Sequence, residues 1–161
     1  MKRILSIVLI ALAAVTADAQ SNLKKVYDET ADPMKQISKA VQDAGKDGRF
    51  VICQVGGNWC RWCLMFADFM SKDSEIMEVV DKNYVYIHVN YNPRERADKK
   101  AEEMLKRLGN PGRFGYPVFV VLDEDGNVIH TQDSSFLEEG NGYNKSKVMR
   151  FFTNWTPEAV R

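Results

Sequence analysis

Residues 50–63 read FVICQVGGNWCRWC. The first six, Phe50 to Val55, are mostly apolar and β-branched, which predicts a strand buried on both sides rather than one alternating toward solvent. Gly56-Gly57-Asn58 breaks that run. From Cys60 to Met70 the chain is apolar and free of Gly and Pro, and Cys63, Phe66 and Met70 recur at the spacing of one helix face. A buried strand, a tight turn and a helix therefore meet at Cys60.

That junction is where the chemistry is expected. Two thiols three residues apart on a helix share a face, so they can close a small disulfide and reopen it without large backbone movement. At the helix start Cys60 faces unpaired backbone N–H groups and the positive end of the macrodipole, both of which favour its thiolate. Arg61 adds positive charge beside it. Cys63, one turn in, is expected to be less exposed and less acidic, so Cys60 attacks and Cys63 resolves. A purely structural disulfide is the competing reading. A metal site built from both thiols with His88 and His130 is the other, but neither histidine has ligand spacing to its fellow, so no metal is expected. Cys53 falls on the strand side of Val51 and Val55 and reads as a small buried hydrophobe, with a regulatory thiol as the alternative.

The rest of the chain alternates helices and strands around this unit. Asp32-Pro33 predicts a helix over about 33–45, with Met34, Ile37, Val41 and Ala44 on one face and Gly45 and Gly48 closing it. A second helical piece fits Ser74 to Lys82, followed by a strand from Tyr84 to Tyr91. Pro93 opens a charged helix, Arg94 to Leu108, with a narrow apolar stripe at Ala97, Ala101, Met104, Leu105 and Leu108, stopped by Gly109. A Gly- and Pro-containing loop, Asn110 to Tyr116, leads to Pro117. A hairpin then runs through Val118 to Asp123, the turn at Asp123–Gly126, and Val128 to about Asp133. A polar segment, 134–144, precedes a last helix carrying Val148, Phe151, Phe152 and Trp155. This order predicts an α/β domain, a mixed sheet with helices on both faces.

Trp59-Cys60-x-x-Cys63 after a strand, together with Gly115-Tyr116-Pro117-Val118-Phe119-Val120-Val121-Leu122 and Asp125-Gly126 downstream, resembles the two signatures of the thioredoxin-like superfamily. The resemblance covers roughly residues 48–133 and extends through the final helix. Within that superfamily the chain is similar to the exported branch related to the C-terminal domain of transmembrane thiol–disulfide interchange proteins. The resemblance implies that Pro117 is cis and lies against the two cysteines, where the Tyr116 backbone can pair with an extended substrate segment. It also implies a catalytic pair, Cys60 and Cys63, with Trp59, Arg61, Trp62, Tyr116 and Pro117 around the substrate and no bound cofactor. Trp62 serves either as contact surface or as core.

Three departures bear on activity. Gln54 stands where thioredoxins carry a buried acid, and an amide cannot act as a base. Arg61-Trp62 matches neither the Gly-Pro of thioredoxin nor the Pro-His or Gly-His of oxidases and isomerases, which leaves the direction of electron flow open. Tyr116 is bulky for its place and predicts a narrow groove. The most similar branch passes electrons outward, which favours a reductant or isomerase; a non-catalytic thioredoxin-like binding module is the alternative.

Residues 1–19, MKRILSIVLIALAAVTADA, have a basic start, an apolar run from Ile4 to Val15 and small residues at Ala17 and Ala19, the order of a secretory signal peptide. The run is short for the roughly 20 residues that span a bilayer. Cleavage after Ala19 is expected, with an uncleaved anchor as the alternative. The domain plan is thus a signal peptide (1–19), an extension and helix (20–47) and a thioredoxin-like domain (48–161), and the product is exported, periplasmic or secreted, and soluble. Export places the cysteines where disulfides persist.

The chain of 161 residues is 45% hydrophobic, which supports one globular domain with a real core. Its 22 Lys and Arg balance 22 Asp and Glu, so there is no electrostatic case for nucleic acid or an anionic membrane surface. The expected partners are client proteins with thiols or disulfides and a redox partner protein, a membrane-bound electron carrier being one form it takes, and the chain itself is expected to be a monomer.

Overall fold

The computed structural model describes residues 23–95 and 98–161; the signal-peptide reading and Ala97 lie outside them. Strand β1 (Phe50–Gly56) is buried at all seven positions, as its apolar run predicts. It pairs in parallel with β2 (Tyr84–Asn90) and antiparallel with β3 (Val118–Leu122), which continues by a hairpin into β4 (Val128–Asp133). The sheet order is β2-β1-β3-β4, so β1 is central and needs cover on both faces.

Strand alternation divides that cover. Val51, Cys53 and Val55 of β1, with Val118, Val120 and Leu122 of β3, face the helices α1 (Pro33–Asp47) and α4 (Lys99–Arg107) and pack with Ile37, Ala44 and Met104. Phe50, Ile52, Phe119 and Val121 face the other way. They pack with Phe66 and Met70 of α2 (Arg61–Ser71), Ile76 and Val80 of α3 (Ser74–Asn83), and Val148, Phe151 and Phe152 of α5 (Lys145–Asn154). Phe66 is the hub on this side, 4.5 Å from the Phe119 ring and 4.9 Å, edge-on, from Tyr143. The expected mixed sheet with helices on both faces is present.

Two local expectations are corrected, and a third segment gains elements that the sequence left unassigned. Gly45 lies inside α1; Gly48 alone closes it, in the left-handed region at φ 67, where a residue without Cβ is unstrained. Pro93 opens only a three-residue 3-10 turn, Pro93–Glu95, and the α-helix begins at Lys99, because Asp98 is extended and its carboxylate accepts from Lys100 N. That is an N-cap, and it sets the start. The segment 134–144 is structured: a 3-10 turn, Ser134–Leu137, leads into a two-residue hairpin of β5 (Glu138–Glu139) and β6 (Gly142–Tyr143). A short helix α6 (Pro157–Val160), capped by Thr156, follows α5. Among the described residues no helix is long and apolar enough to cross a membrane.

Candidate active site

The turn between β1 and α2 is held by Cys60 N donating to Gly57 O at 3.0 Å. Cys60 is the N-cap of α2, with extended backbone, and its Sγ accepts from Cys63 N at 3.2 Å. One orphan N–H of the helix start therefore points at this sulfur. Cys60 and Cys63 are disulfide-bonded, with Cα atoms 5.3 Å apart. Cys60 is 6% exposed and Cys63 is wholly buried, so the sulfur at the helix start is the one a partner reaches first.

Two glycines make this packing possible. A Cβ on Gly56 would collide with Cys63 Sγ and stand 2.9 Å from Tyr27 Oη; on Gly57 it would collide with the Trp59 indole. The Trp59 ring lies over the turn, 46% exposed, and donates from Nε1 to Tyr91 O at 2.8 Å.

The Tyr116–Pro117 bond is cis, as the resemblance implied. Tyr116 packs against the cluster of Cys60, Cys63 and Leu64. Its ring is 5.6 Å, edge-on, from Trp59 and 5.4 Å from Tyr91. Trp62 also packs on that cluster, half-buried, with its ring 5.6 Å edge-on to Tyr143, whose hydroxyl donates to Trp62 O at 3.1 Å. Arg61 is exposed and helps line a cavity of about 500 Å³ with Met65, Phe69 and Tyr143. Trp62 and Tyr116 thus pack on the cluster that holds the disulfide, Trp59 stands edge-on to Tyr116, Pro117 is buried and Arg61 is exposed.

Beneath Cys63 the buried group is Gln54, 0% exposed. Its Nε2 donates to Cys63 O at 3.0 Å and to Tyr27 Oη at 2.7 Å, and its Oε1 accepts from the Tyr86 hydroxyl at 2.6 Å. Each polar atom of the amide is satisfied, which is how an uncharged polar side chain tolerates full burial. His88 lies alongside, its ring 5.2 Å edge-on to Tyr27 and 5.4 Å to Tyr86. Burial holds its pKa down at about 4, and its Nε2 is buried without a hydrogen-bond partner. His130 is elsewhere, stacked 4.1 Å from Trp155 on β4. The two histidines lie on opposite outer strands of the sheet.

Two residues of this site carried no reading as site residues in the sequence. Asn58 clamps the N-terminal segment: its Oδ1 accepts from Val26 N and Tyr27 N, and its Nδ2 donates to Tyr27 O and Glu29 Oε1. That clamp delivers Tyr27 to the underside of Cys63. Asn58 was visible only as the last residue of a Gly-Gly-Asn turn, and Tyr27 sits in a segment with no periodic signal.

The family model Thioredox_DsbH, described as a protein of unknown function, DUF255, matches residues 14–155. No curated protein matches the chain. Among solved structures, the disulphide isomerase from Xylella fastidiosa Temecula1 is 23% identical over 82% of this chain and 97% of that one, with a TM-score of 0.69. The reduced C-terminal domain of Neisseria meningitidis DsbD is 20% identical over 75% and 95%, with a TM-score of 0.53. A thioredoxin from Thermus thermophilus is 16% identical over 73% and 81%, with a TM-score of 0.52. Identities this low speak to the fold, and the family match, spanning most of the chain, decides membership: the protein belongs to the Thioredox_DsbH family and has the thioredoxin-like fold.

Proposed function

We propose that this protein is an exported thiol–disulfide oxidoreductase that exchanges disulfides with client proteins through Cys60 and Cys63. The observation that carries the reading is the placement of Cys60 as N-cap of α2, bonded to a fully buried Cys63 and packed against the residue that precedes a cis proline. In the reducing direction the Cys60 thiolate attacks one sulfur of a client disulfide. The client S–S bond breaks and a mixed disulfide forms. Cys63 then gives up its proton and attacks Cys60 Sγ, closing the Cys60–Cys63 bond and releasing a client dithiol that has gained two electrons. A redox partner protein bearing a dithiol returns the pair to the dithiol and is itself oxidised to a disulfide. Trp59, Arg61, Trp62, Tyr116 and Pro117 form the surface on which the client lies. The similarity to the Xylella protein, called a disulphide isomerase, and to the DsbD domain supports a reductant or isomerase. Residues 48–161 make the thioredoxin-like domain, and residues 20–47 are an extension that completes its site.

Insulin-disulfide reduction by dithiothreitol tests this reading. The parent protein is expected to accelerate precipitation and Cys60→Ala to fall to the uncatalysed rate. Equal rates for the two would leave a non-catalytic binding module as the reading. Cys63→Ala is expected to accumulate clients as covalent adducts on Cys60, cleaved by reductant.

A further inference from the structure

The hydrogen-bond directions under the disulfide are forced. Cys63 O is a carbonyl and only accepts, so the Gln54 atom facing it at 3.0 Å is the amide nitrogen. The amide oxygen then faces Tyr86, whose hydroxyl must donate. The second N–H of Gln54 goes to Tyr27 Oη at 2.7 Å, which makes that oxygen an acceptor and leaves the Tyr27 proton to point elsewhere. The gap it borders is the missing side chain of Gly56, and the atom on the other side of that gap is Cys63 Sγ.

We infer that Tyr27, delivered by the N-terminal segment and held by Gln54, is a positioning residue for the resolving cysteine: in the dithiol and mixed-disulfide states its hydroxyl donates to Cys63 sulfur and stabilises the thiolate. The inference rests on the oxidoreductase reading and deepens it. A fully buried thiolate is penalised by desolvation, and a hydrogen bond to the charged form offsets that penalty. The titratable groups around the gap are Tyr27, Tyr86 and His88, with Tyr143 beyond them and Cys53 on the opposite face of β1. Among the described residues the Glu138 carboxylate acts on Tyr143, and none acts on Tyr27, Tyr86 or His88. Burial drives the Tyr27 hydroxyl well above the ordinary phenol range and that of His88 holds its imidazole neutral above about pH 4, so Tyr27 remains a donor and no base is charged there at neutral pH. In the resolving step Cys63 releases its proton to solvent and its sulfur attacks Cys60 Sγ. The bond from Cys60 to the bound partner breaks, and the partner leaves as a thiolate with the electron pair. Tyr27 keeps its own proton throughout.

The reduced protein treated with 5,5′-dithiobis(2-nitrobenzoate) separates the steps, since Cys60 releases one thionitrobenzoate on attack and Cys63 releases a second on resolution. Tyr27→Phe keeps the ring and removes the hydroxyl. It is expected to leave the first release unchanged and slow the second about tenfold at pH 7. The ratio of parent to variant should shrink toward one as the pH rises past the Cys63 titration, because an ionised thiol no longer needs help to lose its proton. A merely structural defect would slow the second release by a pH-independent factor, and that result, or equal second releases, overturns the inference. Gln54→Met, which removes the amide that orients Tyr27, is expected to slow the same step with the same pH dependence, and an unaffected second release in it also overturns the inference. If the parent protein shows no first release, the redox reading itself fails and the inference falls with it.

Discussion

Cys53 and Cys63 are both wholly buried, yet they occupy opposite surroundings. Cys53 is in the middle of β1, on the face shared with Val51 and Val55 and covered by α1 and α4. Burial pushes its thiol up to about 12, outweighing the opposite pull of the Arg107 charge. Cys63 is in the first turn of α2, just past the end of the same strand, over the Gln54 amide and beside Tyr27 and Cys60. Burial alone therefore does not decide what a cysteine does here. The end of β1, where the chain leaves the sheet and enters a helix, provides aligned N–H groups, a polar floor and an opening toward Cys60, whereas the middle of the strand provides close packing and a cation whose pull burial outweighs.

That contrast can be broken most directly by alkylation. In the reduced, folded protein at neutral pH, iodoacetamide should label Cys60 quickly and Cys53 roughly 1,000-fold more slowly, at a rate set by opening of the sheet. Mass mapping after short exposure checks this, and labelling of Cys53 at a rate comparable to Cys60 would erase the distinction. The polar floor gives a second handle. Folded His88 stays neutral down to about pH 4, while in the unfolded chain it protonates near its ordinary value of 6.5. Between those values the unfolded chain binds a proton that the folded chain refuses, so stability falls as the pH is lowered from about 6.5 to about 4, and is level above. The loss approaches ~3 kcal/mol, and urea melts of His88→Gln should lack most of that slope. A smaller effect sharpens the packing side. Gly56→Ala places a methyl against Cys63 Sγ and Tyr27 Oη and should cost about 2 kcal/mol in the same melts. An alanine at Gly142, where nothing lies within 4 Å of an added Cβ, should cost well under that.

Much of this architecture was legible in local pattern. The apolar run of β1, the helical spacing of Cys63, Phe66 and Met70, and the hairpin at Asp123–Gly126 are each set by neighbours in sequence, and each forms as expected. The α4 start was misplaced because Pro93 and Asp98 both resemble helix openings, and only the cap geometry at Asp98 shows which one succeeds. The polar segment 134–144 carries no element reading in the sequence because two-residue strands have no measurable period, although Tyr143 within it packs on Phe66 and Trp62. The cysteine pair and Tyr116-Pro117 were found by motif. Tyr27 was not, because its role depends on contacts with Gln54 and Asn58 that lie 27 and 31 residues away. Such contacts leave no trace in local composition.

The central claim is that Cys60–Cys63 is a working redox couple rather than a staple, and equilibration with glutathione buffers tests it most directly. Placement at a helix start with one sulfur near the surface predicts reversible two-electron exchange at a potential more oxidising than about −300 mV, below which structural disulfides of secreted proteins typically lie. A value near −270 mV would mark a reductant and one near −120 mV an oxidant. A pair that stays oxidised across every glutathione ratio, with a potential below about −300 mV, would contradict the claim and make the bond structural.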